Sequence, residues 1–296
     1  MSYKSGFVSV IGKPNVGKST LLNALAGEKI AIMSNKPQTT RNTIKAVITN
    51  NECQLVLIDT PGIHKPRTKL GEFMVNIASE TIKEVDLILF LAEAASQPES
   101  LDISIVEQLK QVKAPVFLIL NKVDLVDKEK LFSIIGKYGE MMDFKAVIPI
   151  SALKQDGLEI IMKEALKYIP DGEKFFPDDT LTDQPEKVIA AEMIREKVLL
   201  NLDDEVPHGV GVEVTSFKER KDGLINIQAT IYCEKNSHKG IIIGKQGAML
   251  KKIGSAARFE IERLLDTQVF LELWVKVKPD WRNSDNMLKN LGYQNK

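Results

Sequence analysis

The chain has 296 residues, 44% of them hydrophobic and 27% charged, with 40 basic residues against 40 acidic ones. That composition excludes a compositionally disordered chain and suits one large domain or two of ordinary size, and no apolar run approaches the roughly 20 residues that cross a bilayer. Residues 1–6 lead straight into an apolar run without the marks of a secretory leader, and Cys53 and Cys233, the only cysteines, lie far apart, so a soluble cytosolic protein with two free thiols is expected.

Up to about residue 170, short β-branched runs alternate with longer helical patterns. Strands are predicted over 7–11, 44–49, 55–58, 87–91, 116–120 and 147–150, and helices over 20–25, 73–85, 103–110, 131–142 and 158–169. This alternation predicts an α/β domain, a mainly parallel sheet with helices on both faces. The five residues 50–54 suit a hairpin, so one strand of the sheet should be antiparallel.

Between the first strand and the first helix stand Gly12, Lys13, Pro14, Asn15, Val16, Gly17, Lys18 and Ser19, followed by Thr20. The glycines let backbone N–H groups converge on phosphate oxygens, Lys18 brings a mobile positive charge to the β- and γ-phosphates, and Ser19 offers a hydroxyl to Mg²⁺. A strand, this loop and a helix together predict binding of a nucleoside triphosphate.

Residues 170–186 are turn-rich and acidic, with Pro170, Pro177 and Pro185. They place a first domain at 1–170, a linker at 171–185 and a second domain at 186–296. The second domain is predicted as a helix over 186–202, strands over 210–218 and 224–233, helices at 239–242 and 248–265, a strand over 268–277 and a terminal helix from 280. It is an α+β pattern.

Four further signals fall at the carboxyl ends of strands, where an open α/β sheet places its ligand. Thr39-Thr40 precedes the second strand, and Asp59, Thr60, Pro61 and Gly62 close the third; Asn121, Lys122, Val123 and Asp124 end the fifth, and Ser151, Ala152 and Leu153 follow the sixth. Asp59 is placed to hold Mg²⁺ and the Gly62 N–H to meet the γ-phosphate, while Thr40 completes the metal shell only when that phosphate draws its loop inward. Asp124 offers a carboxylate to the N1–H and amino donors of guanine, whereas adenine would leave it unpaired. Asn121 should brace the phosphate loop and the base, Lys122 lie along the base, and the Ala152 N–H meet the guanine carbonyl. The predicted ligand is therefore GTP or GDP.

In the second domain, residues 237–254 carry Lys239, Gly240, an isoleucine run ending in Ile243, the loop Gly244, Lys245, Gln246 and Gly247, and then Lys251 and Lys252. Residues 236–296 hold 11 Lys or Arg against 6 Asp or Glu. The Gly-x-x-Gly loop between two helices, with the α-β-β-α-α-β order around it, resembles a type II KH module, in which such a loop clamps the backbone of about four nucleotides.

Taken together, the motifs at 12–19, 39–41, 59–62, 121–124 and 151–153 and the KH-like pattern resemble the Era family of translation-factor-related bacterial GTPases over essentially the whole chain. The resemblance implies a monomer that binds the 3′ end of 16S ribosomal RNA, acts in maturation of the 30S subunit and associates peripherally with the inner membrane. It also implies stimulation by K⁺ near Asn15. Where Ras-type enzymes keep a water-orienting glutamine, this chain has Ile63, so hydrolysis should be slow, with Lys18, Thr40 and Gly62 doing the catalytic positioning and His64 more readily a solvent-facing residue than a base. Two rivals are a constitutive RNA-binding scaffold with a nearly inert GTPase domain, and a tRNA-modification GTPase, the latter disfavoured by the absence of a catalytic constellation after residue 186.

Trp274 alternates with Phe270 and Glu272 on one strand face and is expected to pack into the core. Trp281 should seal a domain edge, His208 should be a loop residue rather than a ligand, and His238 is a weaker candidate for touching RNA phosphate.

Overall fold

The computed structural model describes residues 2–34, 36, 38–63, 66–203 and 206–293. They form two compact units. The first comprises Met1–Ala31, Thr40–Pro66 and Met74–Asp183; the second comprises Ile32–Thr39, Arg67–Phe73 and Gln184–Lys296, so two short early segments belong with the carboxyl-terminal residues.

The first unit holds a six-stranded sheet built from β1 (Lys4–Ile11), β2 (Ile44–Thr49), β3 (Cys53–Asp59), β4 (Leu87–Glu93), β5 (Val116–Asn121) and β6 (Ala146–Pro149), in the order β2-β3-β1-β4-β5-β6. Every pairing is parallel except β2 with β3. The unit's helices are α1 (Lys18–Ala26), α2 (Lys69–Thr81) from Met74 onward, α3 (Ser100–Leu109), α4 (Lys128–Met141) and α5 (Leu158–Ala165), the residues of α2 before Met74 being grouped with the second unit.

Because strand side chains alternate, β4 sends Leu87, Leu89 and Leu91 to one face and Ile88, Phe90 and Ala92 to the other. The first set packs with Leu21 and Leu22 of α1 and Ile161 and Ala165 of α5. The second packs with Ala78 of α2, Ile105 and Val106 of α3, and Ile134 and Tyr138 of α4. Burial on both faces explains why these strands read as unbroken apolar runs. The phosphate loop, the end of β3 and the turns after β5 and β6 all open on the carboxyl edge of this sheet.

In the second unit, α6 (Glu186–Asn201), α7 (Asn236–Ile243) and α8 (Ala248–Leu265) lie on one face of a sheet ordered β7 (Gly211–Glu219), β8 (Ile225–Cys233), β9 (Val269–Val277). β7 and β8 are antiparallel, with a bulge between Val214 and Ser216, and β8 and β9 are parallel. The last helix among the described residues is the short α9 (Asp285–Asn290), reached through a single tight turn at Trp281–Asn283.

The structure corrects the reading of Trp274. The residues of β9 that face the helices are Val269, Leu271, Leu273, Val275 and Val277, whereas Trp274 and Phe270 are 43% and 47% exposed on the outer face. The odd-numbered set is wholly apolar and the even-numbered set includes Glu272 and Lys276, so alternation favours the odd set for the core. Trp281 is fully buried, and its indole N–H donates to the Gly209 carbonyl at 2.8 Å.

Candidate functional site

The phosphate loop gets its shape from backbone that only small residues tolerate. Gly12 has φ 154°, and a Cβ there would stand 2.3 Å from the Leu91 carbonyl oxygen; Gly17 has φ 101°, and a Cβ there would stand 2.3 Å from Asn121 Nδ2. Asn15 adopts φ 66°. Gly17 caps α1 with no side-chain bond, and the first turn holds no acidic residue. The positive end of the helix and its N–H groups are thus left for an anion.

Lys18 folds back over the loop, donating to the carbonyls of Gly12 at 3.2 Å and Lys13 at 3.0 Å. Burial lowers its ammonium from 10.5 to about 8, opposed by the nearby Asp59 carboxylate. Lys13 points its ammonium elsewhere, at 3.1 Å from Glu99 and 3.2 Å from the fully buried Asp102 at the start of α3. Val16 is buried in the core, and Pro14 packs against Gly62, where a Cβ would meet Pro14 N at 3.0 Å.

Three oxygen-bearing side chains converge beside this loop. Asp59 Oδ2 accepts from Ser19 Oγ at 2.7 Å and from Thr40 Oγ1 at 3.1 Å, and the two hydroxyls are 2.9 Å apart. Asp59 is fully buried, and its Oδ1 has no hydrogen-bond partner. Burial pushes this carboxyl upward, while Lys18 and the two hydroxyls pull it down.

A carboxylate with one oxygen unpartnered and two hydroxyls gathered on the other is a donor set for a hard cation. Mg²⁺ fits it, since that ion takes one or two carboxylates and fills its other positions with phosphate oxygens and water. No cluster of three His, Cys, Asp or Glu residues suited to a metal occurs among the described residues. Thr60 bonds the Val10 carbonyl at 3.0 Å and ties the end of β3 to β1. Pro61 is buried beside it, and Ile63 is 6% exposed within the core. His64 lies outside the described residues.

On the base side, Asn121 donates to the Val16 carbonyl at 2.8 Å and accepts from the Ala152 N–H at 2.9 Å. One amide therefore joins the phosphate loop to the turn after β6. The Ala152 N–H, expected to meet a guanine carbonyl, is committed to Asn121, and a base would have to share it. Lys122, at φ 65°, pairs with Glu93 at 3.2 Å. A hydrogen bond to Ser151, aided by Lys154 at 3.5 Å, holds the Asp124 carboxyl below the usual carboxylate range. Ser151 and Ala152 are buried, and Leu153 is fully on the surface.

In the second unit, Gly244, Gln246 and Gly247 have φ of 70°, 51° and 81°. A Cβ on Gly244 would come within 2.7 Å of Met249 Cβ, whereas one on Gly247 would meet nothing within 4 Å. Gly244 N–H closes α7 on the Gly240 carbonyl at 2.8 Å. Lys245, Gln246, Lys251 and Lys252 are exposed, Lys239 is half-buried, and Ile243 packs partly into the core. Gly247 leaves the N-terminus of α8 uncapped. His238 Nδ1 is buried without a partner.

This sheet, its phosphate loop and the α-β-β-α-α-β module define the class: a P-loop GTPase carrying a KH domain. The chain matches the family model described as 50S ribosome-binding GTPase over residues 7–122 and that of the KH domain over residues 205–282. It is 81% identical to the GTPase Era of Ruminiclostridium cellulolyticum, covering 99% of both chains, and 55% identical to that of Clostridioides difficile, covering 99% of this chain and 100% of that one. A crystal structure of Era in complex with MgGDPNP and nucleotides 1506–1542 of 16S ribosomal RNA is similar at 39% identity and a TM-score of 0.95, covering 98% and 99% of the two chains. A single-residue variant of Aquifex aeolicus Era bound to GDP·AlF4− is similar at 40% identity and a TM-score of 0.94, with the same coverage. The chain belongs to the Era family of GTPases.

Proposed function

We propose that this chain is a GTP-binding, GTP-hydrolysing RNA-binding switch that binds 16S ribosomal RNA near its 3′ end and assists maturation of the 30S subunit. The observation that carries the reading is the convergence of the Ser19 and Thr40 hydroxyls on one oxygen of the buried Asp59 carboxylate, whose other oxygen has no partner, on a chain that also bears the Gly244-Lys245-Gln246-Gly247 loop with its exposed Lys245 and Gln246. The GTPase domain is taken as 1–170, the linker as 171–185 and the KH domain as 186–296.

Ser19, Thr40 and Asp59 would hold Mg²⁺, which would supply positive charge against the phosphates. Lys18 exchanges the two loop carbonyls for phosphate oxygens, and the α1 N-terminus and the loop N–H groups complete the cradle. Thr40 and Gly62 sense the γ-phosphate. Asp124 accepts from the guanine N1–H and amino group, and Asn121 keeps base side and phosphate side in register. Ile63 supplies no polar group to a water, so hydrolysis relies on positioning and is slow, with K⁺ near Asn15 as the added charge. The protein acts as a monomer in the cytoplasm. No helix among the described residues is long and apolar enough to cross a membrane, and association with the inner membrane would be peripheral.

The test is a titration of an RNA oligonucleotide of the 16S 3′ end against the full chain loaded with GDP or with a non-hydrolysable GTP analogue, at one fixed salt concentration. The GTP form should bind more tightly, by a factor within the roughly 5- to 150-fold typical of such couplings. Replacing Lys245 and Gln246 by Asp should remove RNA binding and spare nucleotide affinity. Equal RNA affinity for the two forms would leave a constitutive scaffold in place of the switch.

A further inference from the structure

Helix α6 carries three consecutive charged residues, Arg195, Glu196 and Lys197, that are 0%, 1% and 7% exposed. Buried charges are expensive unless each is paired and hydrogen-bonded, and three in a row on one turn of helix call for a reason. Their partners give one. Arg195 forks onto Glu192, with Nε to Oε1 at 2.9 Å and a second bond from Nη2 to Oε2, and its guanidinium also donates to the backbone carbonyls of Thr39 and Gln38. Glu196 accepts the Met33 N–H on Oε1 at 2.7 Å and the Lys197 ammonium on Oε2 at 2.8 Å. Lys197 reaches on to Glu260 of α8. Burial alone would lower the Lys197 ammonium, but its bonds to the two carboxylates outweigh that and hold it above its ordinary value.

The segment gripped in this way is Ile32–Thr39, part of the second unit. It is held near both ends, at Met33 by Glu196 and at Thr39 by Arg195. One peptide bond beyond Thr39 stands Thr40, whose hydroxyl is 3.1 Å from Asp59 Oδ2 in the first unit. A loop that must be ordered for its last residue to meet a metal and a phosphate subtracts that ordering entropy from the binding step. A loop already fixed at both ends does not.

We propose that Arg195 and Glu196 are positioning residues for the triphosphate state: they fix the backbone next to Thr40, and the Glu196–Lys197–Glu260 chain joins that fixed loop to α8, the helix that begins just after Gly247. This rests on the functional reading above and deepens it, naming the side chains through which the γ-phosphate sensor is attached to the helix behind the RNA loop. An ordinary core-packing role for α6 would need apolar side chains here, and its buried Ile189, Met193, Ile194 and Val198 already supply them.

The test uses the full chain with Mg²⁺ and compares affinities for GDP and a non-hydrolysable GTP analogue by competition titration. Arg195→Met keeps an unbranched stem, removes the donors to Thr39 and Gln38, and leaves Glu192, 21% exposed, free to rehydrate. Loss of charge-assisted bonds of this kind should weaken the GTP analogue about tenfold, raise the Mg²⁺ needed for half-saturation and leave GDP affinity within about twofold. Arg195→Lys, which keeps the charge and reaches one carbonyl, should fall between; it also serves if the methionine variant unfolds. Glu196→Gln keeps an acceptor for Met33 but breaks the ion pair to Lys197, and should keep the GTP preference while reducing the effect of GTP on RNA affinity. Equal weakening of GDP and GTP analogue, or an unchanged ratio in both Arg195 variants, would overturn the proposal. Equal RNA affinity of the wild-type GDP and GTP forms would instead remove the switch reading, which the nucleotide ratio does not depend on.

Discussion

Gly17→Ala isolates what holds the phosphate loop to the base side. Two effects meet at this position. The left-handed φ of 101° costs a residue with a Cβ about 1–2 kcal/mol, a strain present with or without ligand and therefore felt in stability. The new Cβ would also stand 2.3 Å from Asn121 Nδ2, so the amide must move away from the Val16 carbonyl and the Ala152 N–H that it joins. Two net hydrogen bonds of about 0.5–1.5 kcal/mol each, with buried groups left unpaired, make about 2–3 kcal/mol. That loss falls on the geometry of the nucleotide site and predicts GDP affinity reduced roughly 30- to 150-fold. Gly247→Ala is the matched control, with a similar φ of 81° and nothing within 4 Å of the new Cβ; it should show the strain in thermal unfolding and leave GDP binding untouched. The assay is fluorescent-nucleotide displacement alongside a melting curve. GDP affinity of Gly17→Ala within threefold of wild type, or an equal loss in Gly247→Ala, would refute the argument from Asn121.

Asp124→Asn should lose GTP affinity and gain xanthosine triphosphate, because an amide donor meets the extra carbonyl of xanthine; unchanged GTP preference in competition would remove Asp124 from the site. Lys18 gives a pH signature. Its ammonium titrates at about 8 in the buried, ligand-free loop, and a polyphosphate would hold it charged, so nucleotide binding should take up a proton above pH 8. Affinity should be flat with respect to this group below that pH and fall as pH rises through it. Calorimetry at pH 9 in buffers of different ionisation heat should read an uptake that Lys18→Ala abolishes, and no uptake would show the group charged in the free protein. For the free chain the sign reverses: with the folded value below the ordinary 10.5, the unfolded chain holds the proton the fold has released, and stability rises between about pH 8 and 10.5.

The nucleotide-site motifs were legible because their chemistry fixes residue types at short spacing. The Gly-x-x-x-x-Gly-Lys-Ser run needs small residues at φ 154° and 101° and a lysine at the first position of the helix, and nothing else in the sequence has that pattern. β2 and α8 begin and end where the sequence predicts, the first marked by its hairpin and the second by a glycine before it and clear amphipathicity after. Elements depart from the sequence expectation where tertiary context decides. β1 starts at Lys4 rather than residue 7 because Lys4, Ser5 and Gly6 pair with Cys53, Gln54 and Leu55, a partner no local propensity reveals. α2 runs Lys69–Thr81 instead of 73–85, with Thr68 Oγ1 accepting the Gly71 N–H and providing a start that the apolar periodicity alone did not mark. Nothing in the sequence marks Arg195, Glu196 and Lys197 as interior. A run of charges in a helix reads as a solvated face, and only the pairing of residues more than 150 positions apart makes it an interior one.

That separation also bears on how the protein is made. Thr39 and Arg195 are 156 residues apart in the chain, and at roughly 5–20 residues per second a translating ribosome takes about 8 to 30 s to cover the interval. Through that time the nascent sheet can close and the phosphate loop can form, but residues 33–39 have no Arg195 or Glu196 to hold them and Thr40 has no fixed approach to Asp59. The triphosphate-responsive state is thus a property of the finished chain. A polypeptide stalled or cut before α6 would bind nucleotide with its γ-phosphate sensor loose, so that the completeness of synthesis is itself written into which nucleotide the protein prefers.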